Sequence, residues 1–212
     1  MAVLFSDGFE SGNLSAWTGN VVGDMTVTAA AARTGSFGAR GNNTSSTRVN
    51  YKDYAAAAAA NHYFRFYLRV VGAPTANTGV FFVQTAGTGT NTLMNMLLTT
   101  GLTLRPQVSG SPLSDSPTLN LNTWYRVEVR TDSTGGSNNV IVEVRLNGVV
   151  FARLDNGNPT LNAMGRTVFG VNTGSTGIDL HFDDFQINDA AGGYPGGLNE
   201  PSSMNKDLLL LL

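Results

Sequence analysis

The chain has 212 residues, 42% of them hydrophobic, and no cysteine. That length can bury a large β-domain core without disulfides, and it ties the protein to neither redox compartment. Only 13% of residues are charged and the formal net charge is -2, which argues against nucleic acid as the main partner. The eleven Arg outnumber the two Lys, Lys52 and Lys206, and a guanidinium suits planar, bidentate pairing, so ordered cross-strand ion pairs are expected. MAVLF gives way at once to Ser6, Asp7 and Gly8, too soon for the apolar run of about 7 to 15 residues in a secretory leader. The expectation is therefore synthesis in the cytoplasm without a signal peptide. The run Leu208 to Leu212 is far below the roughly 20 residues of a spanning helix, so no membrane span is expected.

In chain order, short stretches rich in Val, Phe, Tyr, Thr and Leu alternate with Gly, Asn, Ser and Pro clusters, the pattern of an all-β sandwich. FSDGFESGNLSAW (5–17) opens the domain, with Phe5 and Phe9 starting the core. Strands are expected near 2–5, 22–29, 37–41, 46–51, 61–71, 79–86, 92–99, 102–108, 124–132, 139–146, 149–155, 166–172 and 178–188. Ala29 to Ala32 reads as a strand running into a loop, and Ala55 to Ala60 as a single helical turn too short to stand alone. Trp17 and Trp124 stand at strand starts, where large rings usually pack inward.

In NHYFRFYLRVV (61–71), Phe64, Phe66, Leu68 and Val70 share one face and Tyr63, Arg65, Tyr67 and Arg69 the other. The first set belongs to the core. The second faces solvent, a subunit contact or a ligand, and its aromatic content favours a ligand or interface.

Opposite charges set the register of the next hairpin: Arg130 against Glu143 and Glu128 against Arg145 avoids opposing like charges. Asn147-Gly148 then supplies the two positive φ angles of a type I′ turn, pairing Leu146 with Val149 and Val144 with Phe151. Near the end, Ile178, Leu180 and Phe182 have even parity but Phe185 and Ile187 odd parity. One extra residue at Asp183-Asp184, a β-bulge, restores the inward face.

Residues 1–189 are thus expected to form one antiparallel two-sheet β-sandwich, a jelly roll. Residues 190–212 read as a Gly/Pro-rich arm ending in Leu208, Leu209, Leu210, Leu211 and Leu212, which would dock on a partner.

Residues 5–17, ARTGSFGAR (32–40), WYRVEVR with VIVEVRLNGVVF, and HFDDFQIND (181–189) together resemble the concanavalin A-like lectin/glucanase superfamily, including laminin-G-like and polysaccharide-lyase-like jelly rolls. The resemblance covers roughly residues 3 to 189 and implies fold more than function. Related jelly rolls often tie the first strand to the last through a structural Ca²⁺, and Asp7, Glu10, Asp183 and Asp184 are the carboxylates placed for it, with backbone carbonyls near 35–37 completing the shell. The alternative is that Asp7 caps a turn, Glu10 is solvated and the aspartates accept backbone hydrogen bonds.

The glucanase branch needs two carboxylates on one strand, Glu-x-Asp-x-(x)-Glu, and no such string occurs. The lyase branch uses His or Tyr with Arg and Gln. His62, His181, Tyr63, Tyr67 and Gln84 are available but form no lyase motif, and no Gly-x-Ser-x-Gly elbow is present. Trp17, Tyr51, Tyr54, Tyr63 and Tyr67 are the aromatic candidates for glycan contact.

The expectation from these residues is a non-catalytic structural or binding protein with no catalytic residues. Its foremost setting is the virion surface of a bacteriophage, as a capsid decoration or tail appendage, with homo-oligomers or capsid and tail proteins as partners and a surface glycan as a further ligand. The alternatives are an extracellular carbohydrate-binding or adhesin module of a secreted bacterial protein, and a glycan lyase or hydrolase.

Overall fold

The computed structural model describes residues 3–21, 23–42, 47–57, 61–85, 91–134, 139–157, 164–172, 176–191 and 193–196. The strands are β1 (Val3–Asp7), β2 (Gly19–Asn20), β3 (Thr26–Thr28), β4 (Gly38–Asn42), β5 (Arg48–Ala57), β6 (Asn61–Gly72), β7 (Thr78–Thr85), β8 (Thr92–Leu98), β9 (Leu104–Val108), β10 (Ser111–Pro112), β11 (Trp124–Asp132), β12 (Val140–Leu146), β13 (Val149–Gly157), β14 (Met164–Asn172) and β15 (Asp179–Asn188). They form two antiparallel sheets packed as a sandwich. Sheet A runs β13-β12-β11-β6-β15-β4-β3, with β1 also on β15; sheet B runs β10-β9-β8-β7-β14-β5-β2.

One detail positions the N-terminal motif. The edge of β15 opposite β6 is shared: β4 pairs with Asp179 to Phe182, and β1 pairs with Phe185 to Asn188. The junction is the bulge at Asp183-Asp184. There, three steps along β15 from Asp183 to Gln186 oppose two along β6 from Tyr67 to Arg65, and Asp184 takes a φ of 50°. The extra residue returns Phe185 and Ile187 to the core, as the parity change requires.

The core is aromatic. Trp17 lies 4.2 Å from Phe169 and 5.0 Å from Phe185, ring to ring, while Phe66 stacks on Phe81 at 5.1 Å and on Phe185 at 5.9 Å. Phe5 and Phe9 belong to the same cluster. Each such ring contributes roughly 1.5–3 kcal/mol by leaving water. Phe9 is held at a φ of 59° by an N–H donated to Asp7 Oδ1 at 2.7 Å, the Asx-turn device.

The charge-selected register is observed: Arg130 faces Glu143 and Glu128 faces Arg145. The Asn147-Gly148 turn has both φ angles positive, 52° and 85°, and Leu146 meets Val149. Val144, however, meets Ala152 and not Phe151, because an irregularity after Arg145 inserts one residue.

Three other expectations are corrected. Trp124 lies on the outward parity of β11, partly exposed, where the Arg69 guanidinium covers its ring at 4.8 Å. Ala29–Ala31 form a 3₁₀ turn, with Thr28 Oγ1 accepting from Ala30 N. β5 continues as strand to Ala57, so the alanine tract follows the sheet and not its helix propensity; 58–60 lie outside the described residues. So do 197–212, including Leu208 to Leu212. Among the described residues no helix is long and apolar enough to cross a membrane.

Candidate functional site

The two sheets turn very different outer faces to their surroundings. On sheet A the outward residues of β6 are Tyr63, Arg65, Tyr67 and Arg69, the face singled out from the sequence. Its centre is closed: Arg65 is 1% exposed and Tyr67 3%. The Arg33 guanidinium stacks on Tyr67 at 3.5 Å, and Arg69 Nη2 donates to Ala30 O at 2.6 Å. From the other side comes Tyr194, whose ring meets Tyr63 edge-on at 4.9 Å. Its hydroxyl donates to Glu143 Oε1 at 2.9 Å while Arg145 covers the ring at 4.0 Å. Arg65 Nη1 donates to the Gly196 carbonyl. The beginning of the C-terminal segment and the 29–34 loop thus occupy much of this face.

Around this centre runs a ladder of ion pairs. Arg40 is bidentate to Asp179, Arg145 and Arg153 converge on Glu143, and Arg130 pairs with Asp132. Burial pushes the Glu143 carboxyl up, but Tyr194, Arg145 and Arg153 together hold it below the usual range. Eight of the eleven arginines stand on this side of the sandwich: Arg33, Arg40, Arg65, Arg69, Arg126, Arg130, Arg145 and Arg153.

Both histidines are structural in this arrangement. His181 is 5% exposed, and burial, reinforced by Arg69 and Arg40, pushes it down to about 4. Arg69 can only donate, so Nδ1 of His181 accepts its Nη2 at 2.6 Å while Nε2 faces Asp179 at 3.4 Å. His62 points into the core, 5.0 Å from the Tyr54 ring, and burial lowers its pKa too.

The four carboxylates proposed for calcium lie around the β1–β15 junction, but their oxygens are engaged by N–H and O–H donors. Asp7 accepts from Phe9 N and from Trp17 Nε1 at 2.8 Å. Glu10 accepts from Ser36 N and Phe37 N. Asp183 accepts from the backbone N–H of Arg33, Thr34 and Asp184, and burial pushes it up to about 6 despite them. Asp184 pairs with the Arg33 guanidinium at 2.9 Å and accepts from Thr34 Oγ1. A pocket of about 260 Å³ is lined by Asp7, Glu10 and Asp184, but also by Arg65. Among the described residues no three His, Cys, Asp or Glu side chains gather into a set able to hold a metal ion. In this arrangement backbone and side-chain donors and the Arg33 guanidinium occupy the carboxylates, and Glu10, read as solvated in the alternative account, clamps the loop through the Ser36 and Phe37 N–H groups.

Sheet B carries a different chemistry. Its outer face presents two neighbouring rows across the strands. In the first, Asp53 on β5, Arg166 on β14, Gln84 on β7 and Thr92 on β8 stand opposite one another. In the second, Tyr51, Val168, Phe82, Asn95 and Gln107 follow from β5 to β9. Arg166 is bidentate to Asp53 at 2.6 and 2.9 Å and lies 4.0 Å over the Tyr51 ring. Gln84 Nε2 donates to Thr92 Oγ1 at 3.0 Å, and Asn95 Nδ2 to Gln107 Oε1 at 3.1 Å. Within the second row Phe82 and Val168 join Val49 in a small second apolar cluster with Tyr51 against it. Gly19, opposite Tyr51 on β2, leaves room for the phenol: a Cβ there would sit 3.1 Å from its oxygen.

The Tyr51 hydroxyl beside an oriented ion pair, with amides on β7, β8 and β9 further along the same face, can hydrogen-bond sugar hydroxyls. Tyr51 and Gln84 were named from the sequence, but not together. Asp53 and Arg166 were missed because they come from strands far apart in sequence, and Asn95 and Gln107 because β8 and β9 join them to that face only through β7 and β14.

No family model matches the chain, and no curated protein matches its sequence. Solved structures match its fold. An endo-β-1,4-glucuronan lyase from the fungus Trichoderma reesei superposes with a TM-score of 0.63 at 11% identity, covering 88% of this chain and 95% of that one. The cellulose-induced protein Cip1 gives 0.61 at 18%, covering 87% and 96%. A carbohydrate esterase from the Shiga toxin-encoding bacteriophage phi24B gives 0.60 at 17%, covering 88% and 99%. An alginate lyase is a further match, at 0.54.

These neighbours overturn the expectation of a non-catalytic protein. That expectation rested on the missing glucanase carboxylate pair, lyase motif and Gly-x-Ser-x-Gly elbow, yet lyases and an esterase use this sandwich. The chain is an all-β sandwich of two antiparallel sheets, a fold it shares with lyases and a phage-encoded esterase.

Proposed function

We propose that the protein is a carbohydrate-active jelly roll that takes a polysaccharide across the outer face of sheet B. The observation that carries this is the pair of rows Asp53–Arg166–Gln84–Thr92 and Tyr51–Val168–Phe82–Asn95–Gln107, which places hydrogen-bonding groups beside an aromatic ring over the width of several strands. That lyases and a carbohydrate esterase share the fold supports catalysis as well as binding.

In β-elimination a base takes the C5 proton, the C4–O bond to the next sugar breaks, a C4=C5 double bond forms and the departing oxygen gains a proton. Tyr51, a phenol beside a guanidinium, is the group on this face suited to moving such a proton.

The test is incubation with a panel of polysaccharides and their acetyl esters, reading the ultraviolet absorbance of the new double bond and the release of acetate. Activity or binding that falls at least about tenfold in Gln84→Ala, Asn95→Ala and Tyr51→Phe is the expected result, tenfold being 1.4 kcal/mol. Variants indistinguishable from the parent on every polysaccharide would remove the site.

A second reading, supported by the phage-encoded esterase, places the protein on a virion surface with its C-terminal arm docked on capsid or tail proteins. Deleting residues 197–212 then abolishes attachment to particles while the melting curve stays unchanged. Attachment that survives the deletion contradicts the docking role.

A further inference from the structure

The cations of the chain are distributed in a way that selects among polysaccharides. Sheet B turns two guanidiniums outward, Arg166 on β14 and Arg105 on β9. Each is already filled by a carboxylate in a fork-to-fork pair: Arg166 by Asp53, and Arg105 by Asp115 at 2.7 and 2.8 Å. Arg48 and Lys52 stand on the opposite parity of β5; Lys52 Nζ donates to Ala16 O at 2.7 Å and lies over the Phe5 ring. Eight arginines belong to the side of sheet A. The segments 58–60, 86–90 and 158–163, which lie outside the described residues, contain no Lys or Arg. Lys206 lies outside the described residues.

We infer that the sugar units lying on the Asp53–Arg166–Gln84–Thr92 and Asn95–Gln107 groups are uncharged: a neutral glycan, or a uronan whose carboxyls are esterified. This rests on the site proposed above. A free uronate would need a cation of its own, because a carboxylate laid on amides without one loses hydration that neutral donors replace only in part. To recruit Arg166 it would have to displace Asp53, leaving that carboxylate beside the incoming negative charge. The amides of Gln84, Asn95 and Gln107, by contrast, each carry donor and acceptor atoms, matching hydroxyls and ester carbonyls without any charge.

The test compares a polyuronate, its methyl ester and a neutral glucan by isothermal titration at low and high salt, with the parent and with Asp53→Asn. The esterified or neutral polymer is expected to bind at least about tenfold more tightly than the free acid, with no salt dependence, because no charge is being screened. Asp53→Asn frees the Arg166 guanidinium and is expected to raise affinity for the free acid about tenfold in a salt-sensitive way. Equal affinity for both forms, or a salt-sensitive preference of the parent for the free acid, overturns the inference while leaving the site in place. No binding of any polymer, with Gln84→Ala and Asn95→Ala also without effect, overturns the site and the inference together.

Discussion

The outer faces of the two sheets are built from similar strands but from opposite chemistry. Sheet A spends its outward positions on arginines and carboxylates that neutralise one another and on aromatic rings that the chain itself covers, at Tyr194, Arg33 and the Gly196 carbonyl. Sheet B holds fewer charges, each outward arginine matched to one partner, and amides beside a small apolar cluster. A buried ion pair is costly to break because the remaining charge has lost its water, whereas an exposed amide is replaced at little cost. Sheet A is therefore expected to carry stability, and sheet B to be free to carry recognition.

The largest expected effect that tests this contrast is Glu143→Ala. Its carboxylate is 5% exposed and serves Arg145, Arg153 and Tyr194. Its loss is expected to cost about 3 kcal/mol in urea unfolding, near the lower end for a broken buried pair because both arginines are partly exposed. A change of under about 0.5 kcal/mol, the range of ordinary surface substitutions, would show that sheet A is not the stabilising face.

Acid should act through His181. Its folded pKa, about 4, lies below the usual 6.5, so the unfolded chain takes up a proton first as pH falls. The stability it contributes is complete above about 6.5 and is lost as pH falls toward 4. By pH 5 the loss is about 2 kcal/mol, and His62 shifts in the same direction. Unfolding free energies at pH 7 and pH 5 for the parent and for His181→Asn measure it. An equal fall in both proteins would mean that His181 is protonated in the fold.

A smaller effect is expected from Tyr194→Phe, which removes one hydrogen bond to a carboxylate and keeps the ring. About 1 kcal/mol is expected, together with faster proteolysis after residue 196. Unchanged cleavage would show that the hydroxyl does not hold the segment against sheet A. The smallest change in stability, within about 0.5 kcal/mol, is expected from Gln84→Ala, Asn95→Ala and Gln107→Ala on sheet B, the first two of which are also expected to lose glycan affinity. Stability losses as large as that of Glu143→Ala would erase the distinction between the faces.

Local alternation made part of this legible. Parity alone located the bulge at Asp183-Asp184, since an apolar face that switches between Phe182 and Phe185 has one simple physical remedy. Opposed charges set the β11–β12 register. Parity also identified Tyr63, Arg65, Tyr67 and Arg69 as outward, and they are; what it could not supply was cover, which comes from residues 30, 33, 194 and 196. Trp124 was misread for the related reason that a large ring was assigned inward by type, while its parity with Arg126 placed it outside. Asp53, Arg166, Gln84 and Thr92 had no signal as a row, because adjacency in sheet B follows the order β5-β14-β7-β8 and only Gln84 and Thr92 come from consecutive strands.

The amino-acid sequence by itself determined which residues of β6 face the core, where β15 must bulge, and that the domain is an all-β sandwich, because those properties follow from a period of two and from neighbours in the chain. Only the tertiary structure decided which outward face is covered and which charges are already paired. Cover and the central pairs come from strands and loops more than a hundred residues apart, as Arg33 meets Asp184 and Arg166 meets Asp53, although others, such as Arg105 with Asp115, are local.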